Sequence, residues 1–293
     1  MSRIFDALRR SEQEKSGKTS FTPGSVRVRK PPNSLEQEPA VAEANVCLVP
    51  RIVPERHVLA CGENHTLEAE KFRVLRHRLY KIRGERALKN LLICSAIAGE
   101  GKTLVAVNLS LMLARTSQRV LLIDADLRHS GVHDVLGLEE MSGLAEFLQG
   151  RVDERTAIRR LAEPWNLCYL PAGHLSSASG ELLQGPRMGD LLKHAGETYD
   201  WVVVDSAPIS LFADTPHLAT LTDGSLLVTR LGVTPADSLP NSLAALEGTY
   251  IVGIVVNGDE HAVSDHYEYY KHAPHDEGNR GRSVRCDEQG PVT

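Results

Sequence analysis

An apolar run that breaks into a glycine-rich turn and restarts as a helix constrains this chain more than any other feature. Residues 91–94 are followed by Ser95-Ala96-Ile97-Ala98-Gly99-Glu100-Gly101-Lys102-Thr103, then by a helical stretch over 102–115. Gly99 and Gly101 let the backbone curl until successive N–H groups point at one spot. A helix beginning there adds the positive end of its dipole. The ligand such a turn accommodates is a phosphate group. Lys102 can then reach β- and γ-phosphates as a mobile charge, and the Thr103 hydroxyl can ligate Mg²⁺. The general pattern opens with glycine, and here that position is Ala96.

The surroundings match what such a turn needs. Further apolar runs at 120–123, 201–204, 226–228 and 251–256, with a weaker one at 167–170, do not alternate with polar residues, which suits strands buried on both faces of a parallel sheet. Helical stretches at 102–115, 181–194 and 236–246 lie between them. Strand and helix in repetition predict an α/β domain, a doubly wound, mostly parallel sheet flanked by helices. Two more runs end in carboxylates: 120–123 leads into Asp124-Ala125-Asp126-Leu127-Arg128, and 201–204 into Asp205-Ser206-Ala207-Pro208. The carboxyl ends of strands are where such sheets hold ligands. Asp205 suits the Walker B role, holding Mg²⁺ through water, while Asp124 and Asp126 can share metal orientation and acceptance of a proton. The chemistry read from the residues is phosphoryl transfer from ATP, with residues 98–103 (Ala98, Gly99, Glu100, Gly101, Lys102, Thr103) cradling the phosphates.

Outside this domain the patterning lapses. Residues 2–10 place Ile4, Phe5 and Leu8 on one side of a short helix, and 11–65 are rich in Ser, Pro, Glu and Lys, composition that predicts a mostly disordered linker. Residues 1–30 carry eight Lys/Arg against three Asp/Glu, so this arm is locally basic. After Asn257 the chain turns polar again. The boundaries expected are therefore 1–65 for the arm and linker, 66–258 for the catalytic domain and 259–293 for a flexible tail. A net charge of −5 argues against a nucleic-acid binder. Five scattered cysteines without a Cys-x-x-Cys pair argue against a disulfide framework or zinc site. With no secretory signal or run of eighteen apolar residues, the sequence predicts a cytoplasmic protein.

Residues 66–258 resemble the bacterial tyrosine kinases of capsule and exopolysaccharide export. The resemblance runs through the phosphate loop (95–103), the acidic motif Asp124, Asp126, Arg128 and His133, and the Walker B segment 202–208. It continues in Glu181-Leu182-Leu183, Asp214, the run 223–230 and residues 253–257. It implies an ATP- and Mg²⁺-dependent protein-tyrosine autokinase in which Lys102 binds phosphates, Thr103 and Asp205 hold Mg²⁺, Asp124 orients the metal and Asp126 accepts the tyrosine proton. Arg230 and Asn257 become base contacts by the same resemblance. Glu70, Arg73 and Arg76 match an element that joins subunits of relatives into a ring; by pattern alone they are the solvated face of an amphipathic helix over 67–83. Tyr267, Tyr269 and Tyr270 stand where relatives carry a denser, autophosphorylated cluster. Ala98, Ser130 and Ala207 replace usual prolines, implying less rigid loops.

The resemblance further implies a transmembrane chain-length regulator (a polysaccharide co-polymerase) as separate activator, recruitment through it to the inner face of the plasma membrane, and a phosphotyrosine phosphatase as counterpart. Two other readings compete. A deviant-Walker partitioning or positioning ATPase would need a lysine early in the loop, where this chain has Ile97. A degenerate, nucleotide-binding scaffold of the export machinery is the other.

Overall fold

The computed structural model describes residues 47–50, 58, 66–162, 166–174 and 179–258. All six apolar runs form strands: β2 (Asn90–Ser95), β3 (Val120–Asp124), β5 (Leu167–Leu170), β6 (Trp201–Asp205), β7 (Gly224–Arg230) and β8 (Ile251–Asn257). Two short strands, β1 (Cys47–Leu48) and β4 (Arg159–Leu161), complete an eight-stranded sheet of order β1-β4-β5-β3-β6-β2-β7-β8. Every pairing is parallel except β4 with β5.

The central strands are apolar throughout because both sheet faces are covered. Leu91, Ile93, Val120, Leu122, Trp201 and Val203 point into one core, and Leu92, Cys94, Leu121, Ile123, Val202 and Val204 into the other. The first core holds α2 (Lys102–Ala114), of which ten residues are buried, an apolar surround unlike an amphipathic surface helix. Outside it lies α1 (Leu67–Glu85), N-capped by the Thr66 hydroxyl, which accepts from Ala69 N at 3.2 Å. Its Phe72, Leu75, Leu79 and Ile82 face that core. Arg76 Nη1 donates to the carbonyl of Met112 at 3.0 Å, which ties α1 to the last turn of α2.

The remaining helices are α3 (Val132–Leu136), α4 (Leu144–Leu148), α5 (Glu154–Ala157), α6 (Ser179–Gln184), α7 (Pro186–Thr198), α8 (Asp214–Leu221) and α9 (Ser238–Ala245). One expectation is corrected. The helix expected over 181–194 is divided into α6 and α7 at Gly185, because Pro186 disfavours helical backbone in the residue before it while suiting a first helical position. Within residues 11–65, Cys47 and Leu48 pair with Arg160 and Leu161, and Val58 is buried against the α1 side of the sheet. Among the described residues no helix is long and apolar enough to cross a membrane.

Candidate functional site

The turn between β2 and α2 is held open by its glycines. Gly99 and Gly101 have φ of 82° and 90°, a backbone region that residues with a Cβ rarely adopt. A Cβ on Gly101 would also lie 2.2 Å from Asn257 Nδ2. The turn is stitched to the loop after β6, where Ile209 N and Ser210 N donate to the carbonyls of Ser95 and Ala96 at 2.9 and 3.0 Å. Asn257 Nδ2 donates to the Glu100 carbonyl at 3.0 Å and Arg230 Nη1 to the Gly99 carbonyl at 3.2 Å. The two residues expected at the base thus brace the loop backbone.

Sheet register brings the acids together. On the parallel pair β3–β6, Asp124 lies opposite Asp205, and on β2–β6 Ile93 lies opposite Asp205. Asp205 therefore stands on the strand beside the one that feeds the loop, Asp124 one strand further out, and both are wholly buried. Asp124 Oδ2 accepts from Ser130 Oγ at 2.8 Å and Val132 N at 3.3 Å, and Oδ1 from Asp126 N at 3.2 Å. Asp126 Oδ1 accepts from His129 N at 3.0 Å and Arg128 N at 3.4 Å. Its Oδ2 faces Lys102 Nζ at 3.1 Å, and that ammonium lies 3.4 Å from Thr103 Oγ1.

The electrostatics follow from three carboxylates and one ammonium sharing a largely buried space. Burial, and then the charge of Asp205, raise the pKa of Asp124 against the bonds from Ser130 and Val132. Burial likewise raises that of Asp205, opposed by Lys102 and Thr103. For Lys102, burial pushes down but the charges of Asp205, Asp126 and Asp124 prevail, so its pKa rises. Both oxygens of Asp205 lack a hydrogen bond of ordinary geometry although buried, a cost a cation or its water would relieve. The Thr103 hydroxyl nonetheless lies near enough to favour the ionised form. This donor set fits Mg²⁺, which takes one or two carboxylates and completes its shell with water and substrate phosphate. Among the described residues no group of three or more His, Cys, Asp or Glu forms an all-protein metal cage.

A pH dependence follows for protein free of metal and nucleotide. Folding raises both carboxyl groups above their unfolded values, so the native state binds more protons and stability falls as pH climbs through the folded values. Urea denaturation is expected to give a lower unfolding free energy at pH 8 than at pH 5.5, by on the order of 2 kcal/mol. Asp124→Asn should flatten that difference; an unchanged slope would mean that other groups cause it.

Neighbouring residues complete the mouth of the site. Arg128 Nε donates to Asp214 Oδ2 at 2.9 Å, and its guanidinium carbon lies 4.1 Å from the Phe212 ring centroid. A Cβ on Gly180 would fall 2.7 Å from that guanidinium, which seats α6 against the Arg128–Asp214 pair. Ser130 Oγ also lies 3.0 Å from His133 Nδ1. Two loops expected to loosen without proline are thus tied by side chains, through Ser130 to Asp124 and through Thr215 Oγ1 to the carbonyl of Ala207 at 2.5 Å.

Lys102, Thr103, Asp124, Asp126 and Asp205 therefore converge. Glu70 and Arg73 form an ion pair on α1, and Arg76 is engaged with α2. Tyr267, Tyr269 and Tyr270 lie outside the described residues. The side chain of Glu100 is a feature the sequence reading passed over.

A parallel sheet, a glycine turn onto a buried helix, and carboxylates on two adjacent strand ends define a P-loop nucleotide-binding protein. The AAA_31 family, described as AAA domain, matches residues 89–230. Tyrosine-protein kinase YwqD of Bacillus subtilis is 33% identical over 218 residues, 74% of this chain and 92% of that protein. The succinoglycan biosynthesis transport protein ExoP of Rhizobium meliloti is 35% identical over 170 residues, 56% of this chain but 22% of its own length. The kinase domain of Escherichia coli tyrosine kinase ETK superposes with a TM-score of 0.66 at 29% identity, covering 77% of this chain and 95% of that domain. The chain belongs to the bacterial tyrosine-protein kinases.

Proposed function

We propose that the chain transfers the γ-phosphoryl group of ATP to tyrosine hydroxyls, Tyr267, Tyr269 and Tyr270 of its own kind among them, within machinery that makes and exports polysaccharide. The observation that carries this reading is the in-register pairing of Asp124 with Asp205 beside the loop, with Lys102 held on Asp126. The name of ExoP supports the polysaccharide setting.

The residues divide the work as follows. Loop amides of 98–103 and the Lys102 ammonium bind the triphosphate, and Thr103, Asp205 and Asp124 are the groups that would hold Mg²⁺. That ion, when bound, would offset phosphate charge. Triphosphate draws Lys102 away from Asp126, leaving Oδ2 without its partner while Oδ1 stays fixed by the amides of Arg128 and His129. Asp126 then takes the tyrosine proton. The tyrosine oxygen–phosphorus bond forms as the bond from the γ-phosphorus to the β–γ bridging oxygen breaks, and ADP leaves.

On this reading Glu70, Arg73 and Arg76 form a contact between subunits of a ring, a membrane protein of the chain-length-regulator type recruits and activates the kinase at the inner membrane face, and a phosphotyrosine phosphatase resets it. Mass spectrometry of full-length protein incubated with Mg-ATP and the activator's cytoplasmic tail tests the central claim. Phosphate on tyrosines within 267–270 is expected; none on any tyrosine would overturn it.

A further inference from the structure

A carboxylate inside a phosphate-binding turn has the wrong sign for its ligand, yet Glu100 sits in the middle of this one and is wholly buried. Its side chain is turned to the back of the loop. Oε2 accepts from Ile97 N at 2.7 Å, closing the first part of the turn on itself. Oε1 accepts from the Thr234 hydroxyl, which in turn accepts from Arg230 N at 2.8 Å. The backbone of the same stretch is gripped by the side chains of Arg230, on the Gly99 carbonyl, and Asn257, on the Glu100 carbonyl.

We infer that Glu100 and Thr234 are positioning residues for nucleotide binding: a latch that fixes the phosphate loop from behind by tying Ile97 N–H to the segment after β7. The inference rests on the nucleotide-binding reading above and adds residues to it. Its physical basis is pre-organisation. A loop whose amides already point at one spot loses less freedom when triphosphate arrives, so affinity rises without any new contact to the ligand. Both carboxylate oxygens are occupied, so the charge of Glu100 is spread into hydrogen bonds facing away from the phosphates. The latch also makes the loop sensitive to the segment 231–237, where Leu231 and Val233 are exposed to solvent.

This latch predicts a particular split in the kinetics. Initial rates of phosphotyrosine formation by the full chain should be followed against ATP concentration, with Mg-ATP affinity measured by calorimetry. Glu100→Ala is expected to raise KM and Kd about 10-fold and Thr234→Val about 3- to 10-fold, each with kcat within about twofold of wild type. Glu100→Gln, which keeps an acceptor for Ile97 N–H, should return to within about threefold. Thr234 lies half-buried in a surface segment, so its variant decides the matter if Glu100→Ala fails to fold. Wild-type KM and Kd in a folded Thr234→Val would overturn the latch, as would a fall in kcat with KM unchanged. Failure of the wild-type chain to bind Mg-ATP would overturn the nucleotide reading itself.

Discussion

Replacing Lys102 by methionine is expected to cut phosphotyrosine formation by about 10²–10³-fold, the usual cost of deleting one electrostatic contact to developing charge. The ammonium is well placed for that role, being 12% exposed and within reach of three carboxylates that keep it charged. Methionine matches its length and packing but supplies no charge to the γ-phosphate. The variant also leaves Asp126 unpaired next to Asp124 and Asp205. Breaking a buried pair costs up to about 3–5 kcal/mol, less here because the carboxyl groups can take up protons. Circular dichroism and thermal melting should accompany the assay, so that lost activity is read only from folded material. Phosphorylation within threefold of wild type would mean that the loop amides suffice and that Lys102 serves the apo fold.

The phosphate loop was legible because its requirements are local. Strand, glycines at 99 and 101, Lys102, Thr103 and an apolar helix all fall within a few turns of chain. The six main strands were legible for a similar reason, since burial on both faces writes unbroken apolar runs. β4 and β1 were not, because strands of three and two residues carry too few side chains for a pattern. The end of the helix over 181–194 had a readable sign in Gly185-Pro186, which the apolar periodicity on both sides masked.

The acidic cluster was legible as strand ends only. That Asp124 should face Asp205 depends on β6 lying between β3 and β2, a choice of strand order that no local pattern records. What the Glu100 side chain does was invisible for a different reason. In the motif its position accepts any residue, and the partners that explain it, Thr234 and Asn257, lie 134 and 157 residues away in sequence. Arg230 and Asn257, read from the resemblance as base contacts, also grip loop carbonyls. Their chemistry as amide and guanidinium donors was readable, but the acceptor was a property of the fold.

Asp126→Asn should separate binding from chemistry. The asparagine oxygen can still accept from Arg128 N and His129 N, so the turn after β3 keeps its shape. Its amide nitrogen would replace Oδ2 opposite Lys102, removing the ion pair that triphosphate must otherwise disrupt. ATP affinity is therefore expected to hold or rise, within about threefold of wild type. Loss of the general base should lower the transfer rate by about 10²–10⁴-fold, with no recovery at saturating ATP. Asp124→Asn and Asp205→Asn, at the metal-binding positions, should instead weaken Mg-ATP binding. The deciding measurements are single-turnover transfer rates beside calorimetric affinities for the same preparations. A folded Asp126→Asn that transfers phosphate at near wild-type rate would remove Asp126 from the chemistry and leave its bond to Lys102 as a resting contact. A tenfold loss of affinity would place it with Thr103 and Asp205 in holding the nucleotide. Tight binding with slow transfer is the outcome that the pairing of Oδ2 with Lys102 and of Oδ1 with the backbone predicts, because it leaves one oxygen to be released and the other to keep it aimed.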